Sequence, residues 1–208
     1  MKVAILGSGS WATALAKIVL NNVDEIHWFI RKQETIDEFI ENRRNPKHLE
    51  WAYFDTSKIY FSTDINEVLD LSNTIILAIP SPYVKSCLDD ITIDISGKRI
   101  ISAVKGMIPD ENILVTDYLH QHYGIPEENL GIVAGPCHAE EIALERLSYL
   151  TLGCTNLDNA NLWSQLLTTK YVHVTSSNDV VGLEYSSVMK NIYAIAAGMC
   201  SSLRYGDN

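Results

Sequence analysis

"KVAILGSGSWATALA", residues 2 to 16, runs from an apolar, partly β-branched stretch through a glycine turn into a series of helix formers. The opening stretch (2–7) reads as a short buried strand of a parallel sheet, and a helix follows near 11–22. Between them, "GSGSWA" (7–12) has the G-x-G-x-x-A spacing of a dinucleotide-binding turn. Gly7 permits the tight turn, Gly9 lets a pyrophosphate approach the backbone, and Ala12 is small enough for helix and strand to lie close. The free amides at the start of the helix then bind the phosphates, helped by the helix dipole.

The same alternation continues outward from this unit. Strand-like runs fall at 26–30, 59–63, 73–79, 99–104, 130–135, 147–153 and 171–176, with helical stretches near 32–42, 112–123, 137–144 and 158–168. Strands alternating with helices over this length define an α/β fold, a doubly wound and mostly parallel sheet of the Rossmann type. Near residue 178 the character changes, because 179–200 is helical by composition and no strand follows. Residues 1–177 therefore read as a dinucleotide-binding domain, and 178–208 as the beginning of an all-helical substrate domain.

Composition narrows the function classes. The chain has 208 residues, 47% hydrophobic and 20% charged, with a net charge of −10. That acidity argues against nucleic acid as the main partner, while leaving room for a locally basic pocket that takes an anionic metabolite. Apolar runs fall short of the ~18 residues that span a bilayer, and no leader pattern precedes the first strand, so the expectation is a cytoplasmic protein without membrane insertion. Cys87, Cys137, Cys154 and Cys200 are scattered without a CxxC pair, and His120 and His122 at i, i+2 would not share a helix face. No metal site is expected.

The end of the second strand bears on the cofactor. A carboxylate there would hold a ribose 2′-hydroxyl, whereas a cation accommodates a 2′-phosphate. "WFIRKQE" puts Arg31 and Lys32 at that place with Glu34 a little later, which favours NADP(H) and leaves NAD(H) open. Three further segments follow strands, where open sheets of this kind put their ligands. "IPSP" (79–82) offers Ser81, "SAVKGM" (102–107) offers Lys105 beside a glycine, and "AGPCHAEE" (134–141) opens a helix whose amides could hold an anion.

"VMKNIYAIAAGM" (188–199) sets Lys190 and Asn191 in an otherwise apolar or small run. A helix apolar all round is normally buried, and a buried lysine needs a carboxylate partner, a route to the surface, or a site that uses an amine.

Taken together, "GSGSWATALA", "NPKHL", "IPS", "VKG", "AGPCHAEEIA" and "MKNIYAIAAGM" through "GDN" occur in an order and spacing that resemble the NAD(P)-dependent glycerol-3-phosphate dehydrogenases, most like the bacterial form. The resemblance covers the whole chain. It implies reversible hydride transfer between a nicotinamide and dihydroxyacetone phosphate, making sn-glycerol 3-phosphate for glycerophospholipid synthesis, by a homodimer. Carried over residue by residue, it places Ser10, Trp11, Arg31 and Ala139 at the cofactor and Gly135 and Cys137 at the substrate. It puts Lys105 near both, and makes Lys190 the proton donor and acceptor, with Asn191 able to orient the substrate or the lysine. Burial lowers a lysine's pKa towards working pH, which would suit an amine that acts as acid in one direction and base in the other.

Departures from that pattern are local. Cys137 and His138 stand where the family usually has Ser or Thr followed by Phe, which replaces a hydroxyl contact by a weaker thiol one. "NPKHL" lacks the proline that tends to follow its leucine, and Val104 replaces a small hydroxyl residue. "SLRYGDN" stops inside a family motif, so the resemblance implies a chain truncated at its C-terminus, with an apolar face of 179–208 left without packing partners. Two rival readings are another dehydrogenase of the same sheet type and a non-catalytic NAD(P)-binding fragment. A hydroxyacid or 6-phosphogluconate enzyme would place its asparagine four residues after the lysine, where this chain has Ala194.

Overall fold

Alternate residues of the first strand, β1 (Val3–Leu6), enter two different cores: Val3 and Ile5 belong to one, Ala4 and Leu6 to the other. Side chains of a strand alternate in direction, so both faces of this sheet are covered, as a parallel sheet requires. In the computed structural model, which describes residues 1–205, this pattern extends across one eight-stranded sheet. The end of the "GDN" motif, 206–208, lies outside the described residues.

The strands are β1, β2 (Ile26–Phe29), β3 (Ile59–Ser62), β4 (Thr74–Leu77), β5 (Arg99–Ser102), β6 (Leu130–Ala134), β7 (Ser148–Cys154) and β8 (Val172–Ser177), in the spatial order β3-β2-β1-β4-β5-β6-β7-β8. Neighbours from β3 to β6 pair in parallel, β7 runs antiparallel to β6, and β8 is parallel to β7. The doubly wound, mostly parallel α/β architecture read from the sequence is the one observed. All eight strands lie within a few residues of their expected places.

Helices α1 (Ser10–Val19), α2 (Gln33–Asn42), α6 (Ala139–Ala143) and α7 (Leu157–Leu167) contribute to the Ile5 core, and α3 (Ile65–Asp70), α4 (Val84–Leu88) and α5 (Val115–Tyr123) to the other. The alanines of α1 let it approach β1 closely, and Ala12, Ala14 and Ala16 are fully buried. End signals delimit three of the others: Asp64 caps α3 through the Asn66 amide, Asn156 caps α7 through two amides, and α5 ends at Gly124 in the left-handed region. Trp28 anchors the β2 end of the Ile5 core, its ring 5.3 Å from Phe39 in an edge-on contact.

Helix α8 (Val180–Ser202) is mostly exposed, in line with the uncovered apolar face expected over 179–208. Only Val180 and Glu184 are buried within it, and every residue from Asn191 to Ser202 is exposed. Its first turns pack on β6 and β7, where Gly153 leaves room for Leu183. Among the described residues, no helix is long and apolar enough to cross a membrane.

Candidate functional site

The carboxyl ends of β1, β2, β4, β5 and β6 open onto one edge, and the turn after β1 is built around Gly7. Its φ of +119° suits glycine alone, and a Cβ there would overlap the Ala78 carbonyl oxygen after β4. The Trp28 indole donates to the Gly7 carbonyl at 2.7 Å, fixing the turn from the Ile5 core. Gly9 is the N-cap of α1 with no side-chain cap, and a Cβ built on it meets nothing within 4 Å. The first-turn amides of α1, at Ser10, Trp11 and Ala12, therefore face open space that a side chain would fill. This is the surface a pyrophosphate needs, and these residues fit a dinucleotide.

An unexpected clamp holds this turn. Asn45, 1% exposed, donates to the Ser8 carbonyl at 2.9 Å and to the Thr13 hydroxyl at 2.8 Å, while its own oxygen accepts from the Lys47 and His48 amides. His48 in turn shares a 3.1 Å hydrogen bond with the Ser10 hydroxyl. The irregular stretch after α2 thus packs its "NPKHL" segment against the glycine turn. Between them lies a cavity of about 280 Å³ lined by Ser8, Ile30, Arg31, Lys32, Thr35, Asn45, Lys47 and His48. Arg31 and Lys32 meet there, joined by Lys47 and His48. On the other side of Arg31 a second cavity, about 370 Å³, is bounded by Gly7, Gly9, Phe29, Ile79, Pro80 and Tyr83 among others. Ser81, at the start of a short 3₁₀ turn, lies against Gly106, where a Cβ would overlap its hydroxyl. That contact seats the loop carrying Lys105.

Lys105 and Lys190 come together although 85 positions separate them (190 − 105). Both line a cavity of about 300 Å³ with Ala134, Gly135, Pro136, Thr151, Leu183, Ser186 and Ser187. The Lys105 amine sits over the Trp11 ring, 4.9 Å from its centroid. Although the side chain is partly in solvent, loss of water around its amine, and then the charge of Lys190, hold Lys105 below the ordinary lysine range. Gly135 is required by close packing, since a Cβ would overlap the Tyr149 carbonyl oxygen on β7.

Three candidates lie differently. Cys137 is buried and its thiol donates to the Tyr149 carbonyl at 2.9 Å, away from the cavity, with burial raising its pKa. Ala139 opens α6 as a buried residue, and Asn191 is exposed on α8 beside Lys190. Glu184 is a group the sequence reading passed over. Fully buried on α8, it accepts from the Val115 amide at 2.9 Å, the Thr116 amide at 3.4 Å and the Thr116 hydroxyl at 2.5 Å, all in the first turn of α5. A lone acid in an apolar helix was the available signal. Among the described residues, no three His, Cys, Asp or Glu side chains are grouped to hold a metal ion.

Residues 2–160 match the family model described as the N-terminus of NAD-dependent glycerol-3-phosphate dehydrogenase, and 179–208 match the model of its C-terminus. This chain belongs to that dehydrogenase family. A glycerol-3-phosphate dehydrogenase [NAD(P)+] of Exiguobacterium sp. is 33% identical over 208 residues, covering 99% of this chain and 61% of the relative. That of Bacillus pumilus is 31% identical over 211 residues, covering all of this chain and 60% of the relative. A solved structure of Plasmodium falciparum glycerol-3-phosphate dehydrogenase superposes with a TM-score of 0.88 at 28% identity, over 98% of this chain and 60% of that one. The chain thus spans about three fifths of the length of these glycerol-3-phosphate dehydrogenases. The two matched segments meet spatially at the Lys105–Lys190 cavity.

Proposed function

We propose that the protein reduces dihydroxyacetone phosphate to sn-glycerol 3-phosphate, reversibly, with a nicotinamide dinucleotide, in the cytoplasm and in support of glycerophospholipid synthesis. The observation that carries this is the pairing of Lys105 and Lys190 across one cavity at the sheet edge that also holds the open Gly9 turn. Residues 1–177 act as the dinucleotide-binding domain and 178–208 as the start of a helical substrate domain. Membership of the family and the likeness to its homologues support the reading, and a homodimer is the assembly we assign.

The amides of Ser10, Trp11 and Ala12 bind the pyrophosphate, with no side chain at Gly9 to keep it off. Arg31 and Lys32 hold the 2′-phosphate in the cavity they share with Lys47 and His48, which favours NADPH over NADH. Ser81 and Ala139 border the bound dinucleotide. The nicotinamide, when bound, supplies the hydride. Lys190 donates a proton to the oxygen of the reduced carbonyl and takes it back in the reverse direction. Lys105 stabilises negative charge on that oxygen or on the phosphate. Gly135 forms the floor of the substrate cavity, and Cys137 shapes it from behind through its bond to Tyr149. Asn191 stands ready beside Lys190 to orient it once the helix is covered.

The test is NADPH oxidation on adding dihydroxyacetone phosphate to the protein at its natural length. Turnover establishes the reaction. NADPH binding without turnover of this substrate would overturn the substrate assignment and leave a dinucleotide-binding module.

A further inference from the structure

We infer that Glu184 is a positioning residue: it fixes the rotation of α8 about its own axis and thereby holds Lys190 opposite Lys105. The inference rests on the reading of Lys190 as proton donor.

Four residues of α8 reach the cavity: Leu183, Ser186, Ser187 and Lys190. At 3.6 residues per turn they occupy an arc of about 100°, and Glu184 projects about 60° beyond its edge, towards α5. Only Val180 and Glu184 are buried on this helix, and beyond Glu184 its described residues are half-buried or exposed. Val180, Leu183 against Gly153, and the Asp179 carboxylate accepting from the Gly182 amide at 2.8 Å secure the first turn. Glu184 is the last fully buried group before Lys190, which lies about 9 Å further along the axis.

The three groups that donate to it all belong to the start of α5, the helix reached through the loop after β5 that carries Lys105. One carboxylate therefore joins the two segments from which the two lysines project. A rotation of about 30° would move a tip at the helix's outer radius by about 3 Å, as much as the reach of a proton-transferring hydrogen bond. A misplacement of about 1 Å can already cost about 100-fold in rate. Burial raises the pKa of Glu184 despite the bonds it accepts, so the neutral glutamine, which keeps an acceptor for the two amides and a donor for the Thr116 oxygen, should serve as well.

The experiment compares E184A, E184Q and K190M with the unmodified protein at natural length. Its readouts are NADPH affinity, kcat and KM with dihydroxyacetone phosphate, and, without cofactor, the midpoint of pH-dependent acetylation of Lys105 read by mass spectrometry. We expect E184A to keep NADPH affinity, to lose about 100-fold in kcat, and to raise the Lys105 midpoint as K190M does. E184Q should track the unmodified protein. Cys137 and Glu140, whose charges also act on Lys105, are untouched by these changes. A folded E184A with unchanged kcat and Lys105 midpoint overturns the inference. So does a loss of NADPH affinity as large as the loss in kcat. Should E184A fail to fold, T116V removes only the hydroxyl donor and must move both readouts in the same direction by a smaller amount. No movement there overturns it too. If the unmodified protein leaves dihydroxyacetone phosphate unreduced, the reaction assignment fails, but the acetylation midpoints still judge the role of Glu184.

Discussion

Gly7 and Gly9 are two positions apart, and replacing each by alanine should produce opposite results. At Gly7, φ of +119° imposes backbone strain on any other residue, and the added Cβ overlaps the Ala78 carbonyl, a backbone atom that cannot swing aside. Strain of about 1–3 kcal/mol and overpacking of about 1–3 kcal/mol together give about 2–6 kcal/mol. At about 2–4 °C per kcal/mol for a chain of this size, Gly7→Ala should lower Tm by about 5–20 °C. Gly9 has φ −76° and ψ 177°, which any residue adopts, and empty space where the Cβ would go. Gly9→Ala should therefore leave Tm unchanged or raise it, since reduced freedom of the unfolded chain is worth about 0.4–1 kcal/mol. The same Cβ would stand where a pyrophosphate must sit. Losing one charge-assisted amide–phosphate bond costs about 1.5–3 kcal/mol, equivalent to a rise in NADPH Kd of about 10- to 150-fold. Thermal unfolding without cofactor and calorimetric titration with NADPH separate the two effects. An unaltered NADPH affinity in Gly9→Ala would refute the argument that phosphate crosses this glycine, and an unaltered Tm in Gly7→Ala would refute the strain.

Lys190→Ala should abolish reduction of dihydroxyacetone phosphate while leaving the NADPH Kd nearly unchanged; a matching loss of cofactor binding would remove the proton-donor role. Arg31→Ala should weaken NADPH binding about tenfold or more but NADH binding little, so equal losses in paired titrations would place the 2′-phosphate elsewhere. Glu184 has its pKa raised by burial above the ordinary 4.5, so the unfolded chain releases its proton first as pH rises. Its contribution to stability is full below about pH 4.5 and is lost as pH climbs through the folded-state value. Tm curves of the protein and of E184Q should hence diverge in favour of E184Q as pH rises from 4 to 7, and a constant gap would contradict the assignment.

The fold was legible because its signals are local. Short apolar runs followed by helices lie at regular intervals, and the glycine turn after β1 fixes the direction of the ligand edge. Helices α3 and α4 escaped because six and five residues are too few to display a 3.6-residue period, whereas the equally short α6 was found through the Gly-Pro turn that opens it. The reversal at β7 escaped for another reason: an apolar run carries no sign of the direction in which its neighbour travels. At the site, residues carried by the glycine turn could be named in advance, but the Asn45 clamp, the Trp11–Lys105 stack and the Glu184 joint depend on long-range pairing. The rule that apolar helices are buried assumes a neighbour to cover them, and α8 instead presents the uncovered apolar face that the resemblance led one to expect.

The reversal between β6 and β7 also has a consequence for how the chain leaves the sheet. Because β8 keeps the direction of β7, it finishes beside the amino ends of β1 to β6, and the chain must double back to go on. The polypeptide then climbs across the outer face as α8 and projects past the ligand edge like a mast, with Lys190 where it passes the rim. Had β7 and β8 followed the direction of their predecessors, the same helix would have descended, and its amine would point at the blank underside of the molecule. One inverted strand pair thus converts a distant piece of sequence into the roof of a pocket whose floor is laid by β6 and the turn that follows it.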